Sequence, residues 1–504
     1  MHFFTHRGGD FRGPCLRLNK IIRGGLSHDR SSKKTRIFSL ILTIALSIFI
    51  PFVVAARAET ERGPGILVIA HGTDDPTWTG PVSALAEELK KRFSCPVALG
   101  YLEATKPDIP GAVDELNSRG VNRIIAVPLF ISSYSNHIEE IRYILGLKDT
   151  PPGGENLVKA DPAGEVELTR AIDDNPFLVE TLAGQIVAML DATTGFTNIF
   201  SRKTAILAMH GSDTPEGMEG WERATNSLEG RLYRTLSAQG WGFERDDIRH
   251  GYLFEKADPQ LGDVVYHAIF NEGKIPYVIP VMLSEGYFTG SKIPSILKPV
   301  ENMYRYPEKG KRSLITFDKK ALTKMVVYRA ANSLWMPPLI LKNGRIVEFS
   351  LDRVYEISGE ICPGRIMAWR AASYGLAKLW GDTVVNPSDL FVVSMFPPEA
   401  EHKELFDWLA GVDNVAYIGQ SYRGMTEITP TFSFIDRATG RFITVRTKKD
   451  IFGGDEFFEL KNKAQAGKIT REEGARLKRL KEELLLKLMT TPPDMLFDVV
   501  SASL

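Results

Sequence analysis

The sequence predicts an α/β fold with two parallel-sheet lobes, each carrying helices on both faces, followed by an α+β C-terminal domain. Three observations support this prediction. Short apolar runs alternate with amphipathic stretches from Gly65 onward. The same order returns about 140 residues later, and the pattern changes after Arg312. A chain of 504 residues has room for about three domains of ordinary size.

The first lobe is predicted as a βαβαβ unit within residues 62–192. The apolar run 66–70 is typical of a buried strand, and a polar turn follows it at His71-Gly72. The remaining predicted elements, in order, are a helix within 82–89, a strand at 97–102, a helix within 109–116, a strand at 124–130, a Pro- and Gly-rich connection at 151–164 and a helix at 177–190. This order indicates a parallel sheet between two helical layers.

The second lobe, predicted at residues 200–312, repeats this order. The run 205–209 with His210-Gly211 corresponds to the first strand and its His-Gly turn. Gly-Tyr-Leu at 251–253 corresponds to the same three residues at 100–102, and the run 277–283 corresponds to the third strand. Such an internal repeat indicates two homologous lobes.

The C-terminal domain, predicted at residues 325–504, has a different pattern. Apolar residues at helical spacing extend from Gly364 to Leu379, and the runs 431–435 and 442–445 flank a turn, which predicts a β-hairpin. Residues 459–488 predict two charged helices around Ala466-Gly467. Their alternating Lys and Glu residues are typical of a solvated helix face.

The composition argues against several function classes. Lys and Arg total 62 and Asp and Glu total 62, with 43% hydrophobic and 25% charged residues, which favours neither a nucleic-acid binder nor an acidic tail protein. Three cysteines, Cys15, Cys95 and Cys362, are too few and too scattered for a disulfide framework or a Cys-rich zinc site.

The N-terminal segment, residues 1–58, is predicted to be a secretory leader. Basic residues at positions 30–36 precede the apolar run 37–55, and Ala56-Arg57-Ala58 follows it, which predicts cleavage after Ala58. The alternative is an uncleaved membrane anchor, since the run is nearly long enough to cross a bilayer. Both alternatives place the rest of the protein outside the cytoplasm, in the periplasm or an equivalent compartment.

Three ionisable side chains follow three predicted strands. His71 ends the first strand, Glu103 the second, and His137 comes shortly after the third. Ligands of open α/β sheets bind at the carboxyl ends of the strands. Imidazole suits transition metals such as cobalt, iron, nickel and zinc. The sequence therefore predicts a metal site at this edge, with Glu103 balancing the metal charge or accepting a proton.

These residues lie in motifs that resemble a known family. The strand followed by His-Gly-Thr-Asp-Asp-Pro at 71–76, Tyr-Leu-Glu at 101–103, and Val-Pro-Leu-Phe-Ile-Ser-Ser at 127–133 followed by His137 are similar to the sirohydrochlorin cobaltochelatases and ferrochelatases, the class II tetrapyrrole chelatases. The resemblance covers residues 65–146, with a second copy at 205–300. It implies two lobes facing each other across a tetrapyrrole cleft.

The resemblance also implies a reaction and its residues. The reaction is the lyase-type insertion of a divalent metal, Co²⁺, Fe²⁺ or Ni²⁺, into a sirohydrochlorin-like ring, as in cobalamin biosynthesis. His71 and His137 would be the catalytic, metal-binding pair, assisted by Glu103. Histidine suits both metal binding and proton acceptance, because its unperturbed pKa is about 6.5. The macrocycle contacts are expected at Ser132, Ser133, Tyr134, Tyr287 and Phe288. Metal and tetrapyrrole are the expected partners, with no nucleotide cofactor and no nucleic acid. A homo-oligomer is left open.

The second lobe departs from the family pattern. His210 matches His71, but Phe254 stands where Glu103 does and Phe288 where the second histidine is expected. We therefore expect a macrocycle-covering half with a degenerate metal site, in which His210 is a further candidate ligand. Tyr287 and Phe288 either stack on the macrocycle or belong to the core.

The C-terminal third carries a second resemblance. Ile-Ser-Gly-Glu-Ile-Cys-Pro-Gly at 357–364, followed by Arg-Ala-Ala at 370–372, is similar to the His-Gly-His-x-Cys-Pro-Gly segment of formylmethanofuran dehydrogenase E-type proteins. The resemblance covers about residues 330–500. Ser358 and Glu360 replace both expected histidines, whereas Cys362 remains.

These replacements leave two interpretations of the C-terminal domain. Cys362 is a candidate metal ligand together with Glu360, or the domain is structural and binds no metal. His402 and Glu399 either add ligands or belong to an ordinary surface segment.

Two functions of different classes follow from the sequence. The first is an exported chelatase that inserts Co²⁺ or Fe²⁺ into a sirohydrochlorin-like tetrapyrrole. The alternative is an exported carrier that binds metal or tetrapyrrole without catalysis. Export favours the carrier, since macrocycle synthesis is normally cytoplasmic, whereas the cluster of His71, Glu103 and His137 favours the enzyme.

Overall fold

The computed structural model describes residues 63–154, 157–192, 202–419, 429–452 and 454–503. The predicted leader, including the apolar run 37–55 and the cleavage site after Ala58, lies outside these residues, as does Cys15. No helix in the described part of the chain combines the length and hydropathy needed to cross a membrane.

The first sheet contains β1 (Pro64–Ala70), β2 (Val97–Tyr101), β3 (Arg123–Pro128) and β4 (Glu165–Leu168). The strands are parallel in the order β2-β1-β3-β4. Residues 66–70 of β1 are completely buried, because helices cover both faces of the sheet. The helices that connect these strands are α1 (Pro76–Arg92), α2 (Ile109–Ser118) and α3 (Asn136–Ile144).

The second sheet contains β5 (Lys203–Met209), β6 (Ile248–Tyr252) and β7 (Ile275–Pro280). Its parallel order β6-β5-β7 matches the order β2-β1-β3 of the first sheet. Its flanking elements are α5 (Pro215–Ala238), α6 (Leu261–Tyr266), α7 (Ile293–Leu297) and two π-helical turns, His267–Asn271 and Phe288–Lys292. The predicted α/β architecture with parallel-sheet lobes is confirmed.

Two helices pack differently from the prediction. The helix expected to complete lobe one, α4 (Pro176–Ala192), packs against β7 of the second sheet and against α5. Conversely, α9 (Lys319–Leu334), which we expected to lie largely in the C-terminal domain, packs against β3 and α1 of the first lobe. Apolar periodicity shows that a helix is buried, but it does not show which sheet the helix covers.

The C-terminal region contains a five-stranded sheet and a two-stranded hairpin. The sheet consists of β10 (Leu390–Ser394), β11 (Val415–Tyr417), β12 (Thr431–Asp436), β13 (Phe442–Thr447) and β14 (Phe497–Ser503), in the order β11-β10-β12-β13-β14, and the hairpin of β8 (Leu339–Lys342) and β9 (Arg345–Glu348). The predicted β-hairpin is confirmed, since β12 and β13 pair antiparallel. This region is therefore α+β.

The helices of this part of the chain are α8 (Leu314–Phe317), α10 (Leu351–Ser358), α11 (Pro363–Trp380), α12 (Lys403–Ala410), α13 (Asp455–Gln465), α14 (Arg471–Thr490) and α15 (Pro493–Leu496). The predicted charged helix pair corresponds to α13 and α14. Ion pairs join the two helices on their exposed side, including Arg476 with Glu456 at 2.8 Å and Lys463 with Glu473 at 2.8 Å. The expectation of a solvated face is confirmed.

Candidate metal centre and cleft

The loops that follow β1, β2 and β3 meet at the carboxyl edge of the first sheet. Strand-like pairing continues past the strand ends, because the Leu102 N–H donates to the Ala70 carbonyl at 2.9 Å and the Glu103 N–H donates to the His71 carbonyl at 2.8 Å. The Leu129 N–H donates to the Ile69 carbonyl at 2.7 Å. These bonds fix the backbone positions of the residues that follow each strand.

Gly72 allows the first two of these loops to approach each other. Its φ of 90° lies in the left-handed region, and a Cβ at this position would lie 2.0 Å from the Glu103 carbonyl oxygen. Only glycine fits such a backbone and such a contact. A glycine must therefore follow His71, because only then can the two loops approach closely enough to place His71 beside Glu103.

The structure brings His71, Glu103 and His137 together. One potential ligand atom from each lies within 4.8 Å of the others. The two imidazole rings are 4.8 Å apart and nearly perpendicular, at 84°. His71 Nε2 lies 3.9 Å from Glu103 Oε2, and all three side chains are partly exposed. Two imidazoles and a carboxylate that remain accessible to solvent suit a divalent transition metal with open positions.

Hydrogen bonds orient both imidazoles. His71 Nδ1 lies 2.7 Å from the Gly72 carbonyl oxygen. A carbonyl oxygen can only accept, so Nδ1 carries the proton and Nε2 carries the lone pair. His137 Nδ1 donates in the same way to Glu140 Oε2 at 3.2 Å, and Glu140 is buried. Such partners fix the tautomer and orientation of metal-binding histidines. Sequence analysis missed Glu140, although its i+3 position from His137 on a helix is a usable signal.

The second lobe contains an equivalent arrangement, in which one imidazole remains and the other two candidate ligands are replaced. The ring of His210 lies 4.5 Å from that of Phe254 and 4.8 Å from that of Phe288, both at steep angles. These two phenylalanines therefore stand in place of Glu103 and His137. Burial lowers the pKa of His210 and outweighs the opposing effect of its hydrogen bond to Gly211, and repulsion from His137 lowers the pKa further. His210 is thus a neutral imidazole flanked by two phenylalanine rings.

Both lobes line one cleft of about 790 Å³. His71, His137 and His210 all face it. Polar side chains such as Ser132, Asn136, Asp213 and Glu285 line it as well, together with apolar and aromatic side chains that include Trp78, Phe130, Ile131, Trp221, Phe254, Met282, Tyr287 and Phe288. Asn136 Nδ2 donates to Asp213 Oδ1 at 3.4 Å, which joins the two lobes at the cleft. The volume lies within the range of small-molecule sites, about 300–1,000 Å³.

The predicted macrocycle contacts divide into two groups. Ser132, Tyr287 and Phe288 line the cleft, and Tyr287 is 67% exposed. Ser133 and Tyr134 do not line it. Ser133 bonds instead to Asp173, and Tyr134 packs against Gly220 of α5. Their side chains therefore lie outside the lining of the cleft, and a macrocycle contact at either residue stays a prediction.

The C-terminal candidates lie in another part of the molecule. The Cys362 thiol donates to Glu401 Oε2 at 3.2 Å, and burial together with Glu401 raises the pKa of Cys362 to about 11. Glu360 pairs with Arg365 instead of Cys362. Within the described ranges, Cys362 does not belong to a cluster of three candidate ligand atoms.

His402 and Glu399 are also separated from each other. His402 is buried, with Nε2 3.1 Å from the Ser394 hydroxyl, so it does not belong to an ordinary surface segment. Burial lowers its pKa to about 4. Glu399 is exposed. The histidine is therefore part of the core of this region.

The first lobe, which carries the candidate metal centre, is similar to known proteins. The family profile described as CbiX matches residues 65–188, from β1 into α4. The sirohydrochlorin cobaltochelatase of Methanothermobacter thermautotrophicus is 26% identical over 128 residues, which cover 24% of this chain and 90% of that protein. The sirohydrochlorin cobaltochelatase of Saccharolobus islandicus is 32% identical over 106 residues, which cover 20% of this chain and 82% of that protein.

Solved structures are similar over a larger part of the chain at lower identity. The structure of SirB from Bacillus subtilis with Fe³⁺ is 17% identical and covers 54% of this chain and 97% of that chain, with a TM-score of 0.39. The family assignment rests on the sequence relatives, because this chain is 32% identical to the Saccharolobus islandicus protein over 82% of that protein's length. This chain therefore belongs to the sirohydrochlorin cobaltochelatase, or CbiX, family.

Proposed function

We propose that this protein is a chelatase that inserts a divalent metal ion, Co²⁺ or Fe²⁺, into a sirohydrochlorin-like tetrapyrrole. The observation that carries the proposal is the cluster of His71, Glu103 and His137, whose ligand atoms lie within 4.8 Å of one another and whose two histidines line an open cleft. The sequence relatives that match this lobe are named sirohydrochlorin cobaltochelatases, and the metal ion is a substrate of the reaction.

In this proposal the metal first binds to His71 and His137. Their Nδ1 atoms are engaged by the Gly72 carbonyl and by Glu140, which directs the Nε2 lone pairs to the metal. Glu103 adds a negative charge on the same side. Two imidazoles and one carboxylate leave coordination positions open, so the metal can pass to the four ring nitrogens without being trapped.

Insertion also requires the removal of two protons. The macrocycle loses two pyrrole N–H protons as it gains the M²⁺ ion, and the metal-imidazole bonds break as metal-ring bonds form. We assign the protons to the imidazole lone pairs that the departing metal vacates and to the Glu103 carboxylate, from which they pass to water. The partial exposure of these side chains supports this route.

The second lobe would cover the macrocycle. Phe254, Tyr287 and Phe288 of the second lobe line the same cleft as His71 and His137 of the first lobe. Aromatic rings stack favourably on flat conjugated systems. Without a carboxylate or a second imidazole beside it, His210 would not hold a metal. We therefore propose one metal centre for the two lobes.

We also propose that the two lobes arose by tandem duplication. The equal strand order supports this origin, as does the His-Gly pair with a left-handed glycine after the central strand of each sheet.

The C-terminal region is proposed to be a metal-free relative of the formylmethanofuran dehydrogenase E-type proteins. Its two candidate ligands have other partners, because Cys362 bonds to Glu401 and Glu360 pairs with Arg365. Export remains a proposal from the leader-like sequence.

Cobalt insertion tests the proposal directly. Purified protein is incubated with sirohydrochlorin and Co²⁺, and the absorbance change of the ring is followed. We expect His71→Ala and His137→Ala each to lower the initial rate by about 100-fold or more, since both ligand and proton acceptor are lost. A wild-type rate no greater than that of the doubly substituted protein would refute the proposal.

Calorimetric titration, combined with the absorbance assay, distinguishes a chelatase from a carrier protein. We expect stoichiometric Co²⁺ binding accompanied by turnover in the absorbance assay. Stoichiometric binding without turnover would replace the chelatase with a carrier, and a protein that binds neither metal nor tetrapyrrole would exclude both. Fe²⁺ under anaerobic conditions and Ni²⁺ provide parallel assays of the metal preference.

A further inference from the structure

A buried segment between β4 and α4 contacts the loop that carries His137. Residues 171–175 are buried, and Asp173 has a φ of 46°, which is uncommon for a residue with a side chain. Both oxygens of the Asp173 carboxylate bind Ser133. The Ser133 N–H donates to Oδ1 at 2.8 Å, and the Ser133 hydroxyl donates to Oδ2 at 2.6 Å. This is a two-point contact between one side chain and one loop residue.

Main-chain bonds extend this contact along the loop. The Ile172 N–H donates to the Phe130 carbonyl at 3.0 Å, and the Asp173 N–H donates to the Ile131 carbonyl at 2.8 Å. The Ala171 N–H donates to the Ser133 hydroxyl oxygen at 2.8 Å. The loop is therefore fixed from Phe130 to Ser133, immediately before α3 begins and presents His137.

The same segment is held from its other side. Arg329 of α9 donates to the carbonyl oxygens of Ala171 and Ile172, both at 2.9 Å. Its guanidinium also pairs with Asp352 of α10 at 3.3 Å. Arg329 and Asp352, which follow the two lobes in the chain, therefore support segment 171–173, and Ser133 is the side chain that links this segment to the loop.

We infer that Ser133 and Asp173 are positioning residues of the metal centre, which hold His137 in the geometry that binds the ion together with His71. The inference rests on the proposed function, because it assumes that His137 is a metal ligand. Ser133 bonds to Asp173 and does not line the cleft, so in this inference it acts through the loop. Residues that orient metal ligands affect affinity strongly, typically by about 10- to 100-fold.

Cobalt binding to the full chain tests this role, and the molecule offers a matched control. Ser133→Ala removes a hydroxyl that donates to Asp173 at 2.6 Å. Ser227→Ala removes a hydroxyl on α5 that donates to the neighbouring Asp174, also at 2.6 Å. We expect Ser133→Ala to weaken Co²⁺ binding about 10-fold, Ser227→Ala to change it less than about 2-fold, and both to lower the melting temperature by similar amounts. Ser133→Thr, which keeps the hydroxyl, should retain the wild-type affinity.

A double-substitution cycle separates positioning from general destabilisation. If Ser133 acts through His137, then Ser133→Ala in the His137→Ala background should not weaken the residual Co²⁺ binding further. Equal weakening in both backgrounds, or a Ser133→Ala protein that binds Co²⁺ like the wild type, overturns the inference while leaving the proposed function intact. A wild-type protein that binds no Co²⁺ overturns both.

Discussion

At the scale of single residues, Gly72 controls how closely the first two strand-end loops approach. We predict that Gly72→Ala lowers the free energy of unfolding by about 3 kcal/mol or more, because its Cβ would lie 2.0 Å from the Glu103 carbonyl oxygen. Gly120→Ala is the control, since Gly120 also has a positive φ, 75°, but no atom within 4 Å of the added Cβ. It should cost about 1–2 kcal/mol. Equal losses in urea denaturation would contradict the role of this contact.

Glu140 orients His137 through its Nδ1–H. We predict that Glu140→Gln weakens Co²⁺ binding about 10-fold, because the substitution replaces a charged acceptor with a neutral one at nearly constant size. Glu139→Gln is the control. Glu139 is its neighbour on α3 and pairs with Lys148 at 2.7 Å instead of with the histidine. Isothermal titration should show wild-type affinity for this control, and a comparable loss in both variants would exclude a specific effect of Glu140.

The sequence predicts the members of the metal cluster but not the residues that hold them. His71, Glu103 and His137 each follow a strand, and parallel strands end at a common edge. Glu140 was not predicted, although its i+3 spacing from His137 on a helix could have indicated it. Ser133 and Asp173 have no such signal, because their contact joins two loops that no periodic pattern relates. For the same reason the sequence did not show that Ser133 bonds to Asp173 or that Tyr134 packs against Gly220.

At the scale of elements, the sequence predicts helices and strands better than it predicts their neighbours. The runs that form β1, β3, β5 and β7 are apolar throughout because both faces of each sheet are buried. The pattern missed β4, whose Glu165 and Glu167 interrupt any apolar run. The packing of α4 against the second sheet and of α9 against the first also escaped prediction, since an apolar helix face can be buried against either sheet.

Helix α12 begins beside a buried imidazole that makes the C-terminal region sensitive to acid. Burial lowers the pKa of His402 to about 4. The unfolded chain therefore binds a proton near pH 6.5 that the folded chain does not, and stability falls as the pH decreases from about 6.5 toward 4. We predict that His402→Gln removes about 3 kcal/mol of this pH-dependent loss. Urea unfolding from pH 4 to pH 7 measures it, and parallel pH profiles of the two proteins would contradict the prediction.

At the scale of the whole molecule, Asp174 joins the two lobes. It pairs with Arg170 and with Arg231 of α5, at 2.8 and 2.9 Å. Burial by itself would raise the pKa of Asp174, but the two guanidinium groups outweigh it and hold the pKa below its usual value. The stabilisation is therefore complete above the unfolded pKa, about 3.9, and is lost as the pH falls through the lower folded pKa.

The pH dependence of the Asp174 contribution to stability gives a prediction that can be tested separately from the one for His402. We expect Asp174→Asn to lower the free energy of unfolding at pH 7 by about 3 kcal/mol, mainly because the buried Arg231 loses its charged partner, while the exposed Arg170 contributes less. The difference from wild type should shrink only below about pH 4. Urea unfolding at a series of pH values provides the measurement, and a difference that vanishes already at pH 6 would assign the effect to another group.

The molecule has two similar lobes with unlike chemistry. Lobe one carries two imidazoles and a carboxylate, whereas lobe two carries one imidazole between two phenylalanine rings. The repeated strand order made two lobes predictable, and the replacements at Phe254 and Phe288 made their asymmetry predictable. The shared cleft depends on long-range packing, which the repeat itself does not specify.

The most direct test of a single metal centre compares His71→Ala with His210→Ala. The two histidines follow equivalent strands of the two lobes, so each variant is the control for the other. We measure the initial rate of Co²⁺ insertion into sirohydrochlorin. We expect a loss of about 100-fold or more for His71→Ala and a smaller change, within about 10-fold, for His210→Ala. An equal loss in both, or a greater loss in His210→Ala, would contradict it.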